Sequence, residues 1–409
     1  MLTVDQALAQ LLGGARRITD TETLPLGAAL GRTLAADVVS TLAVPGFDNS
    51  AMDGYALNVA DFGPGATFSV VQRIAAGDTG DALAPGEAAR IFTGAPVPDG
   101  TNAVAMQEDC AVEGGILSIG TPLRTGQHIR RRGEDVMAGA AVIKAGTRLG
   151  AAELGLLAAV GVARVGVMRQ LRVALLSTGN ELVEPGAPLA PGKIYNSNRY
   201  AISALLTDAG CIVDDLGIVP DQFAATRDIL ADAAATHDVV LSTGGVSVGE
   251  EDHVKAAVES LGALSLWKIA IKPGKPFAFG RIPAGEVRAG SGGETGSDPG
   301  ADFIGLPGNP VSSYITFLLF VRPFLAARVG GEAPVQAVRV PAGFAIGRAG
   351  NRREYLRARL ENGRAVLYPN QGSGVLTSVV WADGLVVIPE GATVADGDAV
   401  DFVPLAALR

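Results

Sequence analysis

The sequence predicts a multidomain α/β and β protein, with a central, mostly parallel α/β sheet unit joined to smaller β units. Three observations carry this reading. From residue 171 onward, strand-like apolar runs alternate with amphipathic helical stretches, the rhythm of a parallel sheet with helices on both faces. Between 42 and 135, short apolar runs alternate with Gly and Pro turns, as in a small β unit. The chain has 409 residues, more than one ordinary core uses.

Taken in order, VDQALAQLL puts Val4, Ala7, Leu8, Leu11 and Leu12 on one helical stripe. TFSVVQRI, EAARIFTG, NAVAMQED and GILSIG then read as strands. GAAELGLLAAVG returns to helix, with Gly161 as its stop. These segments predict a discontinuous elongated domain over 1–41 and 136–170, interrupted by an inserted β domain over 42–135. In 171–329, LRVALLSTG, CIVDDLGIV, DVVLSTGG, LSLWKIAI, PFAFGRI and DFIGLP read as strands. Helices are expected at NSNRYAISALLTDAG, at DQFAATRDILADAAA with Asp221 as N-cap, and at DHVKAAVESLG. Residues 283–301 are Gly-rich and polar, which predicts a loop or a tolerated insertion. Residues 330–409 read as a C-terminal, β-barrel-like domain.

Composition narrows the function. A formal net charge of −9 argues against a nucleic-acid backbone as partner. Two widely spaced cysteines give neither a disulfide framework nor a zinc site. The N-terminus lacks the basic start of a signal peptide. The uncharged stretch FIGLPGNPVSSYITFLLFV carries prolines, glycines and Asn309 in its first half, so it reads as strand, turn and buried helix, not as a membrane span. A cytoplasmic location is expected.

Three strand-to-loop junctions share a makeup: LLSTGNE (175–181), VLSTGGVSVGEED (240–252) and GLPGNPVSS (305–313). Glycine lets backbone approach a ligand closely, and amides at a helix start bind oxyanions. Gly244, Gly245, Ser247 and Gly249 are candidates in the second loop. Pro307, Gly308, Asn309 and Pro310 are candidates in the third, where Pro310 suits the first helical position. In a doubly wound sheet all three loops open on one rim. WKIAIKPGKPFAFG adds Lys268, Lys272 and Lys275. Read as one strand, its period of two puts Lys268 and Lys272 on one face, where a phosphate-rich ligand or solvent would accommodate them. Acids beside an anion loop make sense if a divalent cation bridges them to phosphate oxygens. Glu181, Asp221 and Asp252 are the candidates, and helix-capping or first-turn roles remain open for each. In the inserted domain, Asp53-Gly54 marks a tight turn, Thr93 precedes a glycine turn, and Asp135 closes RRRGED. His128, His237 and His253 are isolated, and no Ser-His-Asp or His-metal spacing emerges.

In this order, PGFDNSAMDGYA, RIFTGAPVPDGTNAVAMQE, RRRGEDV, STGNEL, STGGVSVGEEDHVK, WKIAIKPGKPFAFG and GLPGNPVSS resemble the molybdopterin molybdenumtransferase (MoeA) family, which includes the gephyrin E domain. The resemblance covers nearly the whole chain and weakens at 283–301 and in the last domain. It implies a four-domain, elongated homodimer. It also implies insertion of molybdate into adenylylated molybdopterin with release of AMP, assisted by Mg2+ or a similar cation. Its functional residues fall on Asp53, Thr93, Asp135, Glu181, Asp252, Lys268 and Lys272, with Asp221, Pro307, Pro310 and Ser373 matching further motif positions. His253 departs from the Tyr of many relatives. Molybdopterin-pathway enzymes and acceptor molybdoenzymes are the implied partners. The competing readings are an adenylyltransferase-like enzyme on the same α/β domain, and a non-catalytic scaffold.

Overall fold

The computed structural model describes residues 1–63, 65–220, 222–245, 253–284 and 300–408. Its centre is a six-stranded sheet in the spatial order Ile212–Val219, Arg172–Thr178, Val239–Thr243, Gly300–Leu306, Pro276–Pro283, Ala263–Lys268. The first four strands are parallel, Pro276–Pro283 runs antiparallel to them, and Ala263–Lys268 pairs antiparallel with Pro276–Pro283. Arg172–Thr178, Val239–Thr243 and Gly300–Leu306 are buried nearly throughout, as both-face coverage of a parallel sheet requires.

The helices follow the expected stripes. Ser197–Asp208 starts on Asn196, whose side chain accepts from the Arg199 amide at 3.2 Å. His253–Leu261 buries Val254, Ala257 and Val258. Phe223–Thr236 departs from expectation at its start: Gln222 is the N-cap, without a side-chain cap bond, and Asp221 lies outside the described residues. The apolar run Pro310–Arg328 has the length of a membrane span but is 78% buried, so it is the core helix of this unit. A π-helical segment, Phe317–Val321, interrupts it. Pro323 follows two residues later and has no N–H to bond back to Leu319, which favours such a widened turn.

Thr21–Pro25 pairs with Arg164–Met168, and Val38–Val39 with Ala141–Ile143, which ties two distant stretches together around the helix Ala151–Ala159. Between them lies a second six-stranded sheet, in the order Ala103–Met106, Gly54–Leu57, Glu87–Ile91, Thr67–Ile74, Ile116–Ile119, Cys110–Glu113. The helix Val4–Gly13 has a Thr3/Gln6 capping box and buries Val4, Ala7 and Leu11. That face packs into the core of the α/β unit, in one cluster with Phe277 and Phe324.

The last sheet runs Ile271–Lys272, Arg353–Glu361, Gly384–Ile388, Ala399–Pro404, Val338–Pro341, with Arg364–Leu367 also on Arg353–Glu361. A bridge between Ala342 and Ala365 brings its ends together, which gives the barrel-like closure.

One expected strand is divided. LSLWKIAI leaves the central sheet at Lys268. The Leu2 amide donates to the Lys268 carbonyl at 3.0 Å, and the Ala270 amide to the Leu2 carbonyl at 2.8 Å. Ile271–Lys272 then pairs in parallel with Arg353 and Glu354. Lys268 and Lys272 therefore stand on different sheets and do not share a strand face. The physical reason is backbone satisfaction: two distant segments supply partners that a continued edge strand would lack.

Candidate active site

The three junctions do share a rim. Arg172–Thr178, Val239–Thr243 and Gly300–Leu306 are adjacent and parallel, with Ser177 opposite Thr243 and Thr243 opposite Leu306. Their carboxyl ends open into a cleft of about 860 Å³. Glu181, Gly244, Gly245, Pro307, Gly308, Asn309 and Pro310 all line it, and so do Lys272, Lys275 and Ser373. Lys268 does not line it. Ser247, Gly249, Asp221 and Asp252 lie outside the described residues.

Local chemistry explains the loop shapes. Gly244 and Gly245 have φ of 98° and 67°, where side-chain-bearing residues are strained. A Cβ on Gly245 would also stand 2.5 Å from Val254 Cγ2. Asn309 is the N-cap of Pro310–Thr316, and its side chain makes no cap bond, so it is not consumed by the helix. The loop is braced from outside. Asn198 Nδ2 donates to the Gly308 carbonyl at 2.6 Å, Ser313 Oγ donates to the Pro307 carbonyl, and the Val311 amide donates to the Ser373 carbonyl at 3.0 Å.

The far wall comes from the C-terminal sheet. Lys272 Nζ donates to both Glu354 carboxylate oxygens at 3.1 Å. Arg352 reaches the cleft with only a long 3.5 Å contact to the Ile271 carbonyl. Among the described residues, neither Lys275 nor Arg352 has a carboxylate partner. Two cations placed so at the rim of glycine loops can hold an oxyanion. Glu181 is the described acid in the lining, and no group of three metal-ligating side chains occurs among the described residues.

The inserted sheet carries a second constellation. Asp53 Oδ1 accepts from the Thr93 amide at 2.8 Å and from Thr93 Oγ1 at 2.7 Å. These two bonds, the amide first, hold the Asp53 carboxyl below its usual range. Gly54 does not serve a turn as expected. It begins the strand Gly54–Leu57, and a Cβ there would lie 1.8 Å from the Ala105 carbonyl oxygen, so only glycine allows this strand approach. The arginine run is a bonded surface: Arg131 pairs with Asp48 at 2.6 Å, and the Arg132 amide donates to Asp48 at 2.7 Å. Asp135 is exposed, its amide donating to the Val44 carbonyl at 3.0 Å. Within one chain, Asp53, Thr93 and Asp135 do not line the cleft.

Three family models match most of the chain. Residues 2–161 match the MoeA N-terminal region (domain I and II), 174–327 a probable molybdopterin binding domain, and 339–405 the MoeA C-terminal region (domain IV). A molybdopterin molybdenumtransferase of Haemophilus influenzae is 44% identical over 332 residues, 81% of this chain and 78% of that protein. Molybdopterin molybdenumtransferase 2 of Mycobacterium tuberculosis is 36% identical over 405 residues, 94% of each. The chain belongs to the molybdopterin molybdenumtransferase family. Its members named here are transferases of molybdenum cofactor biosynthesis. The crystal structure of the molybdopterin biosynthesis MoeA protein from Pyrococcus horikoshii OT3 superposes with a TM-score of 0.82 at 29% identity, covering 99% of this chain and 100% of that one. The similarity runs through all three matched regions, which favours the transferase over an adenylyltransferase-like enzyme confined to the α/β unit, or a scaffold.

For this molybdopterin molybdenumtransferase family member, sequence reasoning missed Asn198, Ser312, Arg352 and Gln371 in the cleft lining. Asn198 Oδ1 is buried and has no partner among the described residues. The polar run NSN before a helix was a usable signal for Asn198. Arg352, inside NRRE, had none, because its place depends on how the last sheet docks. Neither cysteine supplies a thiolate: burial pushes Cys211 up to about 12 and Cys110 up to about 11.

Proposed function

We propose that this chain inserts molybdate into adenylylated molybdopterin with release of AMP, as a cytoplasmic homodimer. The single observation that carries the reading is the cleft, where glycine loops at three parallel strand ends face Lys272, Lys275 and Arg352 across about 860 Å³. Both substrates bring oxyanions, and the cleft supplies amides and cations to hold them.

In this reading Lys275 and Arg352 hold the transferred oxyanion, with Ser312 and Ser373 as flanking polar groups. The loops at Gly244–Gly245 and Pro307–Pro310 receive the phosphate link. The chain's cysteines are protonated, so soft sulfur donors come from the pterin substrate itself. Catalysis is then largely positioning of two anions that repel each other in water.

A divalent cation such as Mg2+ fits in part: it takes one or two carboxylates alongside waters and phosphate oxygens, and Glu181 offers one. Asp221 and Asp252 are the further acids proposed for it. When bound, such an ion would neutralise phosphoryl charge. Asp53, Thr93 and Asp135 are proposed to complete the site of a second copy. Pathway enzymes that deliver the adenylylated pterin, and molybdoenzymes that accept the product, are the proposed partners.

The test supplies adenylylated molybdopterin, molybdate and Mg2+, then measures AMP release and rescue of a cofactor-free molybdoenzyme. Wild type is expected to give both, and Lys275→Ala to lose both. AMP release that ignores molybdate would point instead to simple hydrolysis. Mixing Asp53→Ala and Lys275→Ala chains tests the shared site, since regained activity requires complementation between copies.

A further inference from the structure

A second cavity, of about 220 Å³, lies where three parts of the chain meet, and it shares no lining residue with the cleft. We propose that this junction, where Arg148 and Arg322 face one pocket, binds a small organic oxyanion: a carboxylate or phosphate on a short apolar body. The floor is apolar, formed by Leu205, Phe317 and Leu318. Leu318 is fully buried, and Phe317 is 1% exposed.

Among the described residues, the two guanidiniums are held by backbone carbonyls. Arg148 Nε donates to the Gly31 carbonyl at 3.2 Å, and its Nη2 to the Asp208 carbonyl. Arg322 Nη2 donates to the carbonyls of Ala333 at 2.9 Å and Pro334 at 3.1 Å. Arg322 Nε is shut off from solvent and has no acceptor among the described residues. Asp208 and Glu332 reach the lining, yet among the described residues neither forms an ion pair with either arginine. Burial, and then the neighbouring Arg148, work against the charge on Arg322. Two guanidiniums lining one pocket without a carboxylate partner among the described residues repel each other, and a bound oxyanion would offset that repulsion. Guanidinium forks match carboxylate and phosphate geometry.

The helix geometry delivers Arg322 to this place. The π-helical turn Phe317–Val321 directly precedes it and shifts the phase of the helix, and such turns recur at functional sites. The volume is below the roughly 300 Å³ of ordinary ligand pockets, which limits the ligand to a small molecule.

Equilibrium dialysis with inorganic phosphate and with phenyl phosphate tests this, using wild type, Arg148→Gln, Arg322→Gln and the cleft variant Lys275→Ala/Arg352→Ala. The cleft variant should keep one saturable class of sites. Phenyl phosphate should bind that class at least about tenfold tighter than phosphate, because it also covers the apolar floor. Arg148→Gln and Arg322→Gln should each weaken it at least about tenfold while leaving cleft binding in place. Arg148 is exposed, so its variant carries the test if Arg322→Gln does not fold. Binding unchanged in both arginine variants overturns the proposal, as does a cleft variant with no remaining site. If phosphate does not bind and Arg148→Gln alters the sedimentation mass, a second copy occupies the pocket and the proposal fails. Because the cleft and junction variants are read separately, failure here leaves the proposed transferase reaction untouched.

Discussion

Lys272 and Glu354 are register partners on adjacent strands of the C-terminal sheet, at the mouth of the cleft: the ammonium lies 3.1 Å from both carboxylate oxygens. The side chain of Lys272 is 46% exposed and that of Glu354 21%, so the attraction is screened and worth at most about 1 kcal/mol. Glu354→Gln keeps an acceptor for Lys272 while deleting a negative charge beside an anion site. Molybdate affinity, measured by equilibrium dialysis, should therefore rise, by up to about fivefold. Unchanged or weaker binding would show that Glu354 matters as an anchor and not as a competing charge.

Lys275 and Arg352 face the same cleft without carboxylate partners among the described residues. Each charge-assisted bond to an oxyanion contributes about 1.5–3 kcal/mol. Lys275→Ala and Arg352→Ala should each weaken molybdate binding by roughly tenfold to a hundredfold. Their melting temperatures should stay close to wild type, because neither side chain holds the core together. A variant with normal affinity removes that residue from the oxyanion site.

Asp53 accepts two bonds from Thr93, and its carboxyl is held below the ordinary 3.8, chiefly by the amide and next by the hydroxyl. A depressed folded-state value means that the linked stability is present above the unfolded pKa and is lost as pH falls through the folded one. Asp53 is thus ionised at neutral pH, and an activity limb between pH 5 and 8 would belong to another group. Carboxyl-resolved NMR titration of Thr93→Val should show a partial return toward 3.8, since the larger influence, the backbone amide, remains. A full return would assign the depression to the hydroxyl.

Gly54→Ala places a methyl where the Ala105 carbonyl oxygen would be 1.8 Å away. The strand pairing of Gly54 with Ile91 and Met106 must then open. Overpacking of this kind costs about 1–3 kcal/mol or more. Thermal melts should show a clear loss, and the Asp53–Thr93 bonds should be disturbed, because Asp53 precedes this strand. A melting temperature equal to wild type would mean the strands separate at little cost.

Much of the architecture was legible locally. The alternation after residue 171 gave the strand ends, and the buried stripe Val254, Ala257, Val258 gave a helix face, because these patterns depend only on periods of two and 3.6 residues. Glycines at 244 and 245 marked a loop whose backbone could approach a ligand closely, and their φ of 98° and 67° is a finding of the structure. Lys268 was misplaced for the opposite reason. Its strand looked continuous, but the partner of the next residues is Leu2 on one side and Arg353 on the other, hundreds of positions apart in sequence.

By itself the sequence determined that three glycine-containing loops follow three core strands, and right-handed parallel connections then require those loops to open on one rim. Only the tertiary structure decided which cations face that rim: Lys272, Lys275 and Arg352, without Lys268. It alone brought Arg148 and Arg322 to one pocket. Local periodicity fixes the direction of a side chain relative to its own element, whereas the choice among distant partners follows from which segments can satisfy each other's backbone and bury each other's apolar faces.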